Sequence, residues 1–159
     1  MKIYILVGLP GSGKSSWCKG MAGGDRSLAV INHDSIREML RVEYKNYEFD
    51  TEWENIVRTV SENLLARLIR MEKDVIIDES HITAEKRSKA VARVRWLSPS
   101  ATVCFVYFDT DVNDCIDRRK KDTKGDTPEK WVEVILDMYE DFEPIDHAED
   151  HDEMIVECA

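Results

Sequence analysis

Residues 8–15 read Gly8-Leu9-Pro10-Gly11-Ser12-Gly13-Lys14-Ser15, the spacing G-x-x-x-x-G-K-S set between an apolar run and a helical stretch. A chain of phosphates needs main-chain N–H groups converging on it, and glycines permit the backbone angles and close approach from which such a nest is built. The N-terminus of the following helix adds unpaired donors and the positive end of its dipole. In this setting Lys14 reaches the β- and γ-phosphates of ATP, the Ser15 hydroxyl ligates Mg²⁺, and Ser16 adds a phosphate contact. The motif, a Walker A loop, predicts nucleotide binding through Gly8, Pro10, Gly11, Ser12, Gly13, Lys14, Ser15 and Ser16.

Binding alone leaves the reaction open, and three further clusters bear on it. In Ile31-Asn32-His33-Asp34-Ser35-Ile36-Arg37, Asp34 follows a short apolar run and should stand at the carboxyl edge of the sheet, beside the loop. A carboxylate there accepts a proton from an alcohol and aligns it for attack, and Arg37, one helical turn further on, faces the same way. A helix N-cap is a second role open to Asp34, compatible with the first. The run Val75-Ile76-Ile77-Asp78 is an apolar strand ending in an acid, the Walker B arrangement that positions Mg²⁺; a solvated turn acid is the alternative. A lone histidine at that turn, His81, is expected to play no catalytic part.

Arg118, Arg119, Lys120 and Lys121 then close a helix and lead into a polar stretch with Gly125, which predicts a lid over about 118–127. Cations on a closing segment exclude water and offset charge on a transferring phosphoryl group; a solvated basic helix end is the alternative. With Val112 and Ile116 facing inward, a turn of about 100° per residue puts Arg119 on that face and turns Arg118 partly aside. Thr123-Lys124-Gly125-Asp126 resembles a guanine-reading motif, but it follows a basic helix rather than a strand, and the third strand lacks the Asp-x-x-Gly of a switch protein.

The elements that must hold these residues alternate short β-branched runs with longer amphipathic segments, the signature of a parallel sheet covered by helices. Strands are expected at 2–7, 28–31, 74–78, 102–108 and 154–157. Helices are expected at 14–22, at 34–40, from a Thr51/Glu54 capping box to Met71, from Thr83 to about Trp96, from Asp111 to about Lys121, and from Thr127-Pro128 to about Asp141. Trp53, Ile56, Val57, Val60, Leu64, Leu68 and Met71 form the expected core stripe of the third helix. The predicted fold is α/β: one domain over residues 1–159, a three-layer α/β/α sandwich with a five-stranded parallel sheet, of the nucleoside- and nucleotide-kinase-like P-loop NTPase type.

Composition narrows the rest. At 159 residues, 43% of them apolar, the chain has the core of one ordinary domain and is no disordered or collagen-like protein. No apolar run approaches the roughly 18 residues of a membrane helix, and Ile3 to Val7 is shorter than a secretory core, so a cytoplasmic location is expected. Cys18, Cys104, Cys115 and Cys158 have no metal-site spacing and read as reduced, mostly packed thiols. The net charge is −10, yet residues 141–159 hold eight acids and no Lys or Arg, which leaves 24 acids against 22 bases in 1–140. The net charge argues at first against polyanion partners, and its concentration in the end segment softens that argument, because the body is nearly neutral.

Taken together, Gly8 to Ser16, Asn32 to Arg37, Asp78, and the stretch from Asp117 through Pro128 to Tyr139 resemble the kinase domain of phage-type polynucleotide 5′-kinases, in order over most of residues 1–142. The resemblance implies that Lys14 and Ser15 bind ATP and Mg²⁺, that Asp34 is the general base, and that Arg37 engages the acceptor strand. It also matches Asp78 to that family's essential acid and Arg118 to its first lid arginine. The second lid arginine falls near Asp122, so Lys121, Lys124 or Arg119 would take its role. The acceptor is then a 5′-hydroxyl end of RNA or DNA, or a nucleoside or other small alcohol. Lys86, Arg87, Lys89, Arg93 and Arg95 on the fourth helix form a basic face for a strand to follow, or a solvated surface. A non-catalytic nucleotide-binding module that recruits a partner, with the acidic segment as a handle, is the reading from another class. Oligomeric state is left open.

Overall fold

The computed structural model describes residues 1–24, 27–41, 50–121 and 127–158. Runs such as Ile5–Val7 and Val103–Val106 are buried on both faces, which only a sheet covered on both sides allows. They belong to five parallel strands, β1 (Lys2–Val7), β2 (Ala29–Ile31), β3 (Val75–Ile77), β4 (Thr102–Asp109) and β5 (Glu153–Cys158), in the order β2-β3-β1-β4-β5. The helices among the described residues are α1 (Lys14–Gly24), α2 (His33–Leu40), α3 (Thr51–Arg70), α4 (Ala84–Leu97), α5 (Val112–Lys121) and α6 (Pro128–Glu140). Each predicted element appears within two residues of its expected bounds, and the fold is the α/β sandwich expected.

Strand β1 is central: Ile3 pairs with Val75 and Val103, and Ile5 with Ile77 and Phe105. Ile3, Ile5 and Phe105 pack with Val57, Leu65 and Ile69 of α3 and Val91 and Val94 of α4. Leu6, Cys104, Val106 and Phe108 point into the other layer, with Cys18 and Trp17 of α1. Leu9, Ile82, Cys115, Ile116 and Ile135 make a third cluster, which joins the carboxyl ends of the strands to α5 and α6. Because the strand order reverses at β1, the crevice beyond its carboxyl end is where a doubly wound sheet binds its ligand.

Several local expectations are corrected. The buried stripe of α3 is Val57, Ser61, Leu65 and Ile69, while Trp53, Ile56, Leu64 and Met71 are exposed. Ser61 interrupts the apolar pattern on the true inner face, so hydropathy alone selects a face rotated from it. The Thr51/Glu54 capping box does not form: Asp50 is the N-cap, its side chain accepting from the Glu52 and Trp53 amides, and Glu54 turns toward α2. Of the cysteines, Cys18, Cys104 and Cys115 are buried and Cys158 is exposed, all as free thiols.

The basic face of α4 is neither a strand-tracking surface nor wholly solvated. Arg87 is fully buried. Its Nε and Nη2 each lie 2.7 Å from the Glu149 carboxylate, and its Nη1 and Nη2 donate to the carbonyls of Ile82, Glu143 and Pro144 at 3.0–3.2 Å. Arg95 pairs at 3.0 Å with both Asp150 and Asp152. Glu153 meets Lys2 at 2.7 Å, and Glu157 accepts from the Trp17 indole at 2.9 Å. The acidic segment is thus built into the body rather than held out as a handle. Arg87→Met leaves buried carbonyls and Glu149 without their donors and should cost on the order of 3–5 kcal/mol of stability in urea unfolding. The exposed neighbour change Lys86→Met should stay within about 0.5 kcal/mol.

Candidate active site

The loop after β1 curls over the start of α1 with Gly11 and Gly13 at φ values of 85° and 105°, a region that L side chains seldom adopt. At Gly11 space is also closed, since a Cβ there would lie 2.4 Å from the Cys115 carbonyl oxygen of α5. Pro10, Gly11, Gly13, Lys14, Ser15 and Ser16 line a cleft of about 670 Å³. Gly8 and Ser12, expected to touch the nucleotide, lie beneath it instead. The Gly8 amide donates to the Ser80 carbonyl at 3.1 Å and the Ser12 amide to Leu9 at 3.2 Å, so both are used in shaping the loop. Among the described residues nothing hydrogen-bonds the buried Ser12 hydroxyl.

Lys14 begins α1 and is buried, its Nζ donating to the carbonyls of Gly8 at 2.8 Å and Leu9 at 2.7 Å. Burial brings its pKa down to about 8, and the nearby Asp78 carboxylate opposes that fall. A desolvated ammonium with only neutral oxygens as direct partners, at a helix N-terminus, is built to meet an anion. Asp78 follows β3 and is buried, which raises its pKa, while the Lys14 charge and a hydrogen bond from Asn32 pull the other way. The Asn32 amide nitrogen donates to Asp78 Oδ2 and to its carbonyl, both at 3.1 Å. The Cys18 thiol lies against the same carboxylate and is pushed up to about 12 by burial and that charge, so it is a packing group and not a nucleophile.

The cap of α2 is Asn32, whose side chain accepts from the Ser35 amide at 2.8 Å; Asp34 sits inside the first turn and caps nothing. Its carboxylate is 86% exposed at the cleft wall and bonds Arg37 Nη1 at 2.6 Å. Glu54 of α3, unremarked among the candidates, grips the other edge of that guanidinium, accepting from Nε at 2.9 Å and Nη2 at 2.6 Å. Arg37 holds the Glu54 carboxyl below its usual range, chiefly through that hydrogen bond. A two-point grip of this kind fixes a guanidinium in plane, and through it the Asp34 carboxylate. On the same wall His33 Nε2 and Glu79 Oε1 are 3.1 Å apart. His81 is buried outside the cleft, its Nδ1 2.9 Å from the Leu6 carbonyl oxygen, and burial lowers its pKa.

Arg118 and Arg119 both line the cleft. Arg118 is exposed and its Nη1 donates to the Gly11 carbonyl at 3.4 Å, whereas Arg119 is half-buried with its guanidinium carbon 3.6 Å from the ring centroid of Trp131 on α6. Trp131 was missed in the sequence, although its spacing from the buried Ile135 put it on the inner face of α6. Residues 122–126 of the expected lid, Lys124 among them, lie outside the described residues. Among the described residues no cluster of three or more His, Cys, Asp or Glu could hold a metal. Ser15 with Asp78 suits Mg²⁺, which binds through one or two carboxylates and completes its shell with phosphate oxygens and water. The buried ammonium and the glycine bend suit a phosphate chain. Among the described residues no helix is long and apolar enough to cross a membrane.

No curated protein matches the chain. Among solved structures, that of the Pnkp1/Rnl/Hen1 complex contains a chain 25% identical over 74% of this one, with a TM-score of 0.64; this chain covers only 38% of it. A fungal RNA kinase is 13% identical with a TM-score of 0.63, covering 98% of this chain and 73% of its own. A sugar kinase from Janibacter sp. HTCC2649 is 19% identical with a TM-score of 0.63, covering 99% of this chain and 85% of its own. A family model described as an AAA domain matches residues 3–145. With the glycine loop, the parallel sheet and the crevice at its carboxyl edge all in place, the chain belongs to that AAA domain family and has the fold of a P-loop kinase.

Proposed function

We propose that the protein is an ATP- and Mg²⁺-dependent phosphotransferase that moves the γ-phosphoryl group to an alcohol, with a polynucleotide 5′-hydroxyl as the acceptor. The observation that carries this is Asp34: its carboxylate stands on the wall of the same cleft as Lys14 and is steered by Arg37 and Glu54. ATP bound with Mg²⁺ would supply the activated phosphoryl group. The chain's own residues do the rest. The Gly11–Gly13 bend and the N-terminus of α1 orient the phosphates, and Lys14 offsets their charge. In this reading Ser15 and Asp78 would hold the metal, Asp34 would take the acceptor proton, and an arginine from the end of α5, Arg118 or Arg119, would screen the transferring group. The likeness to a Pnkp1-containing complex and to a fungal RNA kinase supports the polynucleotide end as acceptor.

The acceptor wall supplies one observation for a small neutral alcohol instead. It carries Asp34 and Glu79, its Arg37 is engaged by two carboxylates, and Arg87 and Arg95 of α4 are spent on the acidic segment. A likeness to a sugar kinase agrees in fold. Labelled ATP presented with short 5′-hydroxyl RNA, short 5′-hydroxyl DNA, nucleosides and sugars decides between them. Transfer to the oligonucleotides at rates at least about a hundredfold above the small alcohols is expected, the margin by which an oriented hydroxyl outpaces a misplaced one. Transfer to a sugar or nucleoside alone would establish the second reading. Nucleotide binding without transfer to any acceptor would establish the non-catalytic module.

A further inference from the structure

Helices α5 and α6 bracket residues 122–126 and pack through Cys115, Ile116 and Ile135. At the cleft edge of this contact Arg119 and Trp131 meet at 3.6 Å, the distance of a flat stack. Indole takes a guanidinium by its face, where the ring quadrupole attracts the charge, and leaves the in-plane N–H groups to donate elsewhere. An arginine held so has already lost much of the side-chain freedom it would otherwise surrender to an anion. Among the described residues Arg118, one residue earlier, has no such support: it is exposed, and its contact there is a long one to a loop carbonyl.

We propose that Trp131 is a positioning residue that fixes Arg119 over the glycine loop, so that Arg119 rather than Arg118 supplies the side-chain cation from α5 to bound phosphates. This rests on reading the cleft as a phosphate site, and concerns which groups complete it. Trp131 itself touches no phosphate. Its role is to hold the planar donor set of its neighbour, which a lysine at position 119 could not offer.

The test is calorimetric titration of the whole protein with ATP and with inorganic tripolyphosphate, which has no base or sugar. Trp131→Leu should weaken both by the same factor, about tenfold, as expected for a partly desolvated cation–π contact. Trp131→Phe, which keeps a ring, should stay within about threefold. In an Arg119→Met background Trp131→Leu should cost nothing further, a non-additivity that a merely structural role would not produce. Should Trp131→Leu fail to fold, Arg119→Lys gives the same reading by keeping the charge and losing the stack. Loss of ATP binding with tripolyphosphate binding untouched would show that the ring meets the base and would overturn the proposal, as would additive losses in the double variant. No acceptor is present, so failure of phosphoryl transfer to every alcohol would sink the kinase reading and leave this result standing. Wild-type protein that binds neither anion refutes both.

Discussion

Asp34→Ala should lower phosphoryl transfer by roughly a thousandfold, within the range assigned to a general base acting on an alcohol. The carboxylate is 86% exposed, and its bond to Arg37 leaves that guanidinium still gripped by Glu54. The helix cap belongs to Asn32. Removing the carboxylate therefore takes away neither a cap nor a buried partner, and the melting temperature should barely move. ATP affinity, which depends on the loop across the cleft, should stay within about twofold, the scatter of surface substitutions. Steady-state rates with titration calorimetry on the same preparation separate the outcomes. Transfer near the wild-type rate would remove Asp34 from the reaction, whatever the acceptor.

Lys14 carries the second large effect, and it has a pH signature. Folded Lys14 loses its proton near pH 8, while in the unfolded chain it holds that proton to about 10.5. Between those values the unfolded chain binds more protons, so this group makes the stability of the ligand-free protein rise with pH across that window and contributes no slope below it. A phosphate beside the ammonium reverses the cost of burial and restores the proton. Binding of ATP above pH 8 must then take up a proton, and affinity should fall by up to about tenfold per pH unit there. Calorimetry in buffers of different ionisation heat counts the proton directly. Lys14→Met should abolish the uptake and reduce transfer by roughly a hundred- to a thousandfold, as loss of one preorganised charge partner does. A wild-type affinity flat from pH 7 to 10 would refute the assignment.

Much of the framework could be read from the sequence because parallel strands buried on both faces leave near-continuous apolar runs, and Val75–Ile77 is one even at three residues. The glycine bend was legible because two of its positions allow almost no other residue. What escaped were choices between equivalent groups a residue or a turn apart. Asn32 and Asp34 are both good helix caps, and only the fold shows that Asn32 begins the helix and also reaches Asp78. Glu54 fits a capping box on paper, but Asp50 takes the cap and Arg37 takes Glu54. Arg87 resembles its basic neighbours until it is set on the face of Val91 and Val94, where it must be buried and must find an acid. That acid, Glu149, is far away in the chain and no local pattern announces it.

The abutment of Gly11 against the Cys115 carbonyl bears on how such a site can diversify. A bend with a positive φ and main chain pressed against it has almost no slack, so drift at position 11 is closed to every residue with a side chain. The opposite wall, made of side chains from α2 and the turn after β3, carries no such restraint. On the proposed reading, new acceptor preferences can arise there by single replacements while the donor half of the cleft stays as cast.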